Sequence, residues 1–77
     1  STLNLFPNPT SNFIQIESSF HTNVRITDAV GRILTENYIL QTNQVKTIDV
    51  SLFPSGVYFL ECVETENMLR KRFVIQK

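Results

Sequence analysis

Serine, histidine, aspartate, glutamate and a single cysteine are all present, so the residue types for nucleophilic, acid–base and metal chemistry exist in this chain. Their spacing does not assemble them. Ser55-Gly56 lacks the G-x-S-x-G turn that presents a nucleophilic serine, and no residue near His21 in "SSFHTN" orients its ring. His21 therefore reads as a turn or strand-end residue. Glycoside hydrolysis needs two carboxylates flanking a cleft, whereas Glu61, Glu64 and Glu66 crowd one stretch, "LECVETEN", and read as a solvated face. Zinc needs several Cys or His ligands at characteristic spacing, and Cys62 stands alone, about forty residues from His21. A lone cysteine inside "VYFLECVE" reads as a small buried hydrophobe, because a reactive thiol needs an exposed, electropositive setting. Two glycines cannot build a phosphate-cradling loop, and "N-P-T" at residues 8–10 is barred from glycosylation by its central proline. No catalytic group, metal or cofactor is expected.

Seven basic and seven acidic side chains cancel, which argues against strong electrostatic binding to nucleic acid. No apolar run approaches the roughly 20 residues of a membrane-spanning helix, and the opening "STLNLF" lacks the pattern of a signal peptide. A chain that opens with neither Met nor leader reads as a piece of something longer, and residues 1–77 as one domain. Chains this short bury only about 60% of their unfolded surface, so the stability margin is thin.

What positions these residues is a series of strands. Val, Ile, Thr, Tyr and Phe recur with period 2, and turn residues separate the runs about every 8–12 residues, the pattern of an all-β sandwich or barrel. The reading is an antiparallel, immunoglobulin-like β-sandwich of about seven strands: Leu3–Phe6, Asn12–Glu17, Asn23–Asp28, Arg32–Leu40, Gln44–Val50, Val57–Glu64 and Met68–Gln76. Leu3 and Leu5 alternate, as do Ile14 and Ile16, and Val24 and Ile26. "RILTENYILQ" could be forced into a helix, but Thr35, Asn37, Tyr38 and Ile39 favour a strand.

Turn chemistry sharpens this outline. "TDAVGR" places Gly31 where a hairpin needs φ > 0. "LFPSGVY" sets Pro54 and Gly56 around Ser55, with Gly56 expected at φ > 0 to release the chain into the sixth strand. Glu66-Asn67 reads as a two-residue hairpin loop, because Asn tolerates the left-handed region. That loop predicts Leu60 opposite Phe73, Tyr58 opposite Ile75 and Glu61 opposite Arg72, with apolar pairs on one face and an opposite-charge pair on the other. Tyr58, Leu60, Ile26 and Phe73 are expected buried, and Glu61 and Arg72 exposed.

One asymmetry stands out: residues 70–77, "RKRFVIQK", carry four of the seven basic residues, just after a run of acids. Two readings fit, cross-strand complementarity with protection of an edge strand by Lys and Arg, or a basic tag that a partner recognises. The first is preferred on spacing alone.

"LFPNPTSNFIQI", "VRITDAVGRIL", "IDVSLFPSGVYFL" and the basic ending occur in order across nearly the whole chain. Together they resemble the type A C-terminal sorting domain of the type IX (Por) secretion system. The matching positions are Pro7, Asn8 and Pro9; Asp28, Gly31 and Arg32; Asp49, Ser51, Gly56 and Tyr58; and the basic Arg70, Lys71, Arg72 and Lys77. Phe53 departs from the family, which more often has Leu there. The resemblance implies a domain that ends cargo proteins of Bacteroidetes-type bacteria. It implies transit through the periplasm, then recognition by the outer-membrane translocon and its shuttle proteins. Removal by a sortase-like cysteine peptidase would follow, with attachment of the cargo to the cell surface or its release outside. In such a domain Pro7-Asn8-Pro9 would be a rigid corner with few unfolded-state conformations to lose, a role preferred to direct contact with the translocon. The alternative is a fibronectin- or immunoglobulin-like adhesion or carbohydrate-binding module, since sandwiches host many functions; a passive spacer is a third. A monomer or a weak edge-strand dimer is expected.

Overall fold

Alternation decides the architecture. In the computed structural model, which describes residues 2–63 and 69–77, seven strands form two antiparallel sheets, and no helix occurs among the described residues. The strands are β1 (Leu3–Phe6), β2 (Phe13–Ser18), β3 (Thr22–Asp28), β4 (Tyr38–Leu40), β5 (Lys46–Asp49), β6 (Gly56–Cys62) and β7 (Arg70–Ile75). One sheet runs β1-β2-β5 and the other β4-β3-β6-β7. Every second residue faces the space between them: Ile14 and Ile16 of β2, Val24 and Ile26 of β3, Tyr58, Leu60 and Cys62 of β6, Phe73 and Ile75 of β7. Each such side chain contributes about 1.5–3 kcal/mol by leaving water. The expected immunoglobulin-like sandwich is what forms, with its expected core residues buried.

Four local readings need correction. The sequence predicts a fourth strand over Arg32–Leu40, but only Tyr38–Leu40 pairs regularly with β3. An isolated bridge joins Thr27 to Ile33. Between the two, the Thr35 hydroxyl accepts the Ile26 N–H at 3.0 Å in place of a backbone carbonyl. A side-chain acceptor has displaced the ladder, as Thr does where it competes with the backbone. The β6–β7 register also differs: Tyr58 faces Phe73, Gly56 faces Ile75, Leu60 faces Lys71 and Glu61 faces Arg70. It is slipped by two residues from the expected pairing, so every side chain keeps its face while changing its neighbour. The Glu66-Asn67 loop lies outside the described residues. Gly56, finally, lies inside β6 and Gly31 is the glycine with positive φ, at 90°.

Glu61 is half-buried rather than exposed. Arg25 Nε lies 3.0 Å from one of its carboxylate oxygens and Arg70 Nε 3.2 Å from the other. The β3–β6 pairing sets Arg25 directly opposite it, a partner 36 residues away that the hairpin alone could not supply. Arg72, as expected, is exposed, but it faces Phe59.

Candidate functional site

The end of the sandwich where β1 and β7 finish and β2 and β6 begin gathers most of the singled-out residues. Pro7-Asn8-Pro9 carries the chain from β1 across to the outer edge of β7, with the Phe6–Pro7 and Asn8–Pro9 bonds both cis. There the Asn8 side-chain amide takes the place of a peptide group on a neighbouring strand. Its Nδ2 donates to the Arg72 carbonyl at 3.2 Å, and its Oδ1 accepts the Val74 N–H at 3.0 Å. Thr10 continues the pairing: its N–H donates to the Val74 carbonyl at 2.9 Å and its carbonyl accepts the Gln76 N–H at 2.8 Å. An edge that would otherwise offer a row of open backbone groups is satisfied over that stretch. The PNP corner is a clamp joining the two sheets.

Asp28, at the end of β3, organises the D-x-x-G-R turn. Its Oδ1 accepts the N–H groups of Val30 (3.1 Å) and Arg32 (2.9 Å), while Oδ2 meets Arg32 Nε at 2.7 Å. Gly31 supplies the left-handed position that closes this three-residue hairpin loop. Burial pushes the Asp28 carboxyl up, but the hydrogen bonds from Arg32 and Val30 and the Arg32 charge outweigh it. The net result is a pKa below the ordinary 3.8.

Tyr58 stands opposite Asp28, near the start of β6. Its hydroxyl donates to the Pro54 carbonyl, four residues upstream, at 2.7 Å. That is the tyrosine corner of immunoglobulin-like sandwiches. Phe53 (centroids 5.6 Å) and Phe73 (5.8 Å) both stack with the Tyr58 ring. Burial, then the nearby Asp28 charge, raise the Tyr58 pKa above 10.0 and keep the phenol a donor. The turn and the corner together line a cleft of about 360 Å³ that includes Asp28, Arg32, Pro54, Gly56 and Tyr58.

Asp49, Ser51 and Lys77 form the third group. The Ser51 N–H donates to Asp49 Oδ1 at 2.8 Å. Lys77 reaches back to this loop twice, its N–H donating to the Ser55 hydroxyl at 3.1 Å and its ammonium to the Ser51 carbonyl. Hydrogen bonding by Ser51, and then the Lys77 charge, hold the Asp49 carboxyl below 3.8. Arg70 sits apart from this end, its guanidinium on Glu61 and 3.9 Å over the Phe59 ring. Lys71 and Arg72 are exposed and make no ion pair among the described residues.

This chain matches the family described as the secretion system C-terminal sorting domain over residues 4–76. The chain belongs to that family. No curated protein and no solved structure matches it. As a type IX sorting domain it is a secretion signal, and what such a signal directs is export across the outer membrane to the cell surface or beyond. The family is not an enzyme family, and among the described residues no three His, Cys, Asp or Glu side chains gather as metal ligands would. Nor is any helix among them long and apolar enough to cross a membrane.

Within the sorting domain, Pro7–Pro9 meets Arg72, Asp28 and Arg32 share a cleft with Gly56 and Tyr58, and Asp49 and Ser51 meet Lys77. Sequence reasoning missed Thr10, Phe53 and Arg25. Thr10 directly follows the PNP corner, is buried, and gives its hydroxyl to the Phe13 carbonyl. Phe53 read only as a tolerated swap for Leu. Arg25 could have been found only by aligning β3 with β6, which no local pattern dictates.

Proposed function

We propose that these 77 residues are one sorting domain of a longer secreted protein, and that the machinery reads the folded end built by the PNP clamp, the D-x-x-G-R turn and the tyrosine corner. The cargo would precede the domain and cross the periplasm. It would then meet the outer-membrane translocon and its shuttle proteins, and a sortase-like cysteine peptidase would remove the domain as the cargo reaches the surface. Family membership carries the sorting reading over the adhesion alternative. The observation that supports the recognition surface is the state of the basic end: Arg70 is spent on Glu61 and Lys77 on Ser51, whereas Lys71 and Arg72 are held by the clamped strand without an ion-pair partner among the described residues.

The test is a periplasmic reporter fused ahead of the domain in a bacterium with a type IX system. The parent fusion sends the reporter to the surface or medium. Deleting residues 68–77 removes Phe73 and Ile75 as well as the cations, and holds the reporter in the periplasm. Lys71→Glu with Arg72→Glu reverses charge while sparing the core and Lys77. A folded variant that is not exported makes the basic end a contact surface; a folded variant exported like the parent leaves those cations as edge protection. Normal export without residues 68–77 would refute the sorting role of this end.

A further inference from the structure

Between β1 and the first half of β7 lies a groove of about 470 Å³ lined by Asn4, Leu5, Phe6, Asn8, Lys71 and Arg72. Two strand edges open into it. The Ser19 N–H donates to the Thr2 carbonyl, which fixes the phase of the β1–β2 ladder. Thr2, Asn4 and Phe6 turn their backbone groups towards β2, so Leu3 and Leu5 turn theirs outward. The Val50 to Asn12 bond on the far side of β2 requires the same phase. β1 ends its sheet, and the outward groups of Leu3 and Leu5 meet no partner among the described residues. On the opposite wall, the bond from Cys62 N–H to the Leu69 carbonyl turns the backbone of Arg70 and Arg72 outward. The clamp reaches only as far as the Arg72 carbonyl.

The charged side chains that line the groove are of one sign. Lys71 and Arg72 are exposed and lack an ion pair among the described residues, and no acid lines the groove. Open backbone edges call for another extended chain, which completes the ladder, and the paired cations call for carboxylates on it. We infer that the groove takes an extended acidic peptide segment, added as a further strand on the edge of β1 with its carboxylates against Lys71 and Arg72. A lipid or sugar surface would satisfy the cations and leave the strand edge open. This deepens the sorting reading, on which its cellular role rests, by giving the chemistry of the partner segment.

The probe is a capped eight-residue peptide alternating threonine and aspartate, titrated into the 77-residue chain and followed by amide NMR. It shifts the Leu3–Phe6 and Lys71–Arg72 amides and slows hydrogen exchange at Leu3 and Leu5. Lys71→Glu with Arg72→Glu weakens binding about tenfold or more, as does raised salt, while the lysine-for-aspartate peptide does not bind. Shifts confined to β4 or β5, equal binding of the lysine peptide, or no binding would overturn the inference. So would a dimer in sedimentation with β1 already protected, which makes the occupant a second copy. Binding to phosphatidylglycerol vesicles without protection of Leu3 and Leu5 overturns it in favour of a membrane surface. In the export assay, a double variant that loses the peptide yet exports normally removes the groove from sorting while the sorting reading stands. A parent domain that binds the peptide but fails to export sinks the sorting reading and leaves the groove intact.

Discussion

At the scale of single residues, the two glycines separate cleanly. Gly31 has φ 90° and open space where a methyl group would stand, so Gly31→Ala meets backbone strain alone and should lose about 1–2 kcal/mol in urea denaturation. Gly56 sits in β6, where an added Cβ would lie 3.7 Å from Tyr58 Cε2, an ordinary contact. Gly56→Ala should therefore be neutral or stabilising by up to about 1 kcal/mol. Gly31 was legible because "TDAVGR" sets it just before the next alternating run, where a hairpin turn needs a residue tolerant of φ > 0. Gly56 was not: "P-S-G" suits a turn exit equally well, and the corner is held by the Tyr58 hydroxyl instead. The lowered carboxylates make a second test. A depressed folded-state pKa adds stability that is present above the unfolded value of 3.8 and lost as pH falls through the folded value. The melting temperature should fall as the medium is acidified below about pH 4, and less steeply in Asp28→Asn with Asp49→Asn.

At the scale of elements, period-2 alternation was enough to place β1, β2, β3, β6 and β7 within two residues at their described ends. Each has one buried face, so the pattern is enforced by the core. It could not fix the β6–β7 register, because a slip of two residues preserves every face and only the neighbours change. It also overran β4, where Thr35 takes over a backbone bond that no propensity scale anticipates. The face assignment is what matters for stability. Phe73 is fully buried and stacked on Tyr58, so Phe73→Ala should cost about 3–5 kcal/mol in chemical denaturation. A domain of this length holds only about 4–12 kcal/mol in total, so the variant should be partly unfolded at physiological temperature. A loss under about 1 kcal/mol would place that side chain outside the core.

At the scale of the whole molecule, the motif residues were legible as types but their meeting place was not. The PNP corner and the basic end lie at opposite ends of the sequence, and only the closure of two sheets brings Asn8 onto β7. Likewise Lys77, which read as one more cation, is tied to Ser51 and Ser55. Balanced total charge hides this division of labour, since four of the cations sit on one strand and its tail while their functions differ. On the proposed reading, Lys77→Met should lower stability and leave export unchanged, as measured by melting temperature and reporter secretion in parallel.

The Asn8 clamp also has a kinetic meaning. Its two hydrogen bonds join positions 64 and 66 residues apart, and closing a loop of that length carries an entropic cost of about 4 kcal/mol before any contact is made. Such a contact is expected to form after the transition state, once the strands between have condensed. Asn8→Ala should remove about 1–2 kcal/mol, and nearly all of it should appear as unfolding accelerated about 5–30-fold, with the refolding limb of the chevron unmoved. That result would make the asparagine a brake on opening rather than a guide to folding.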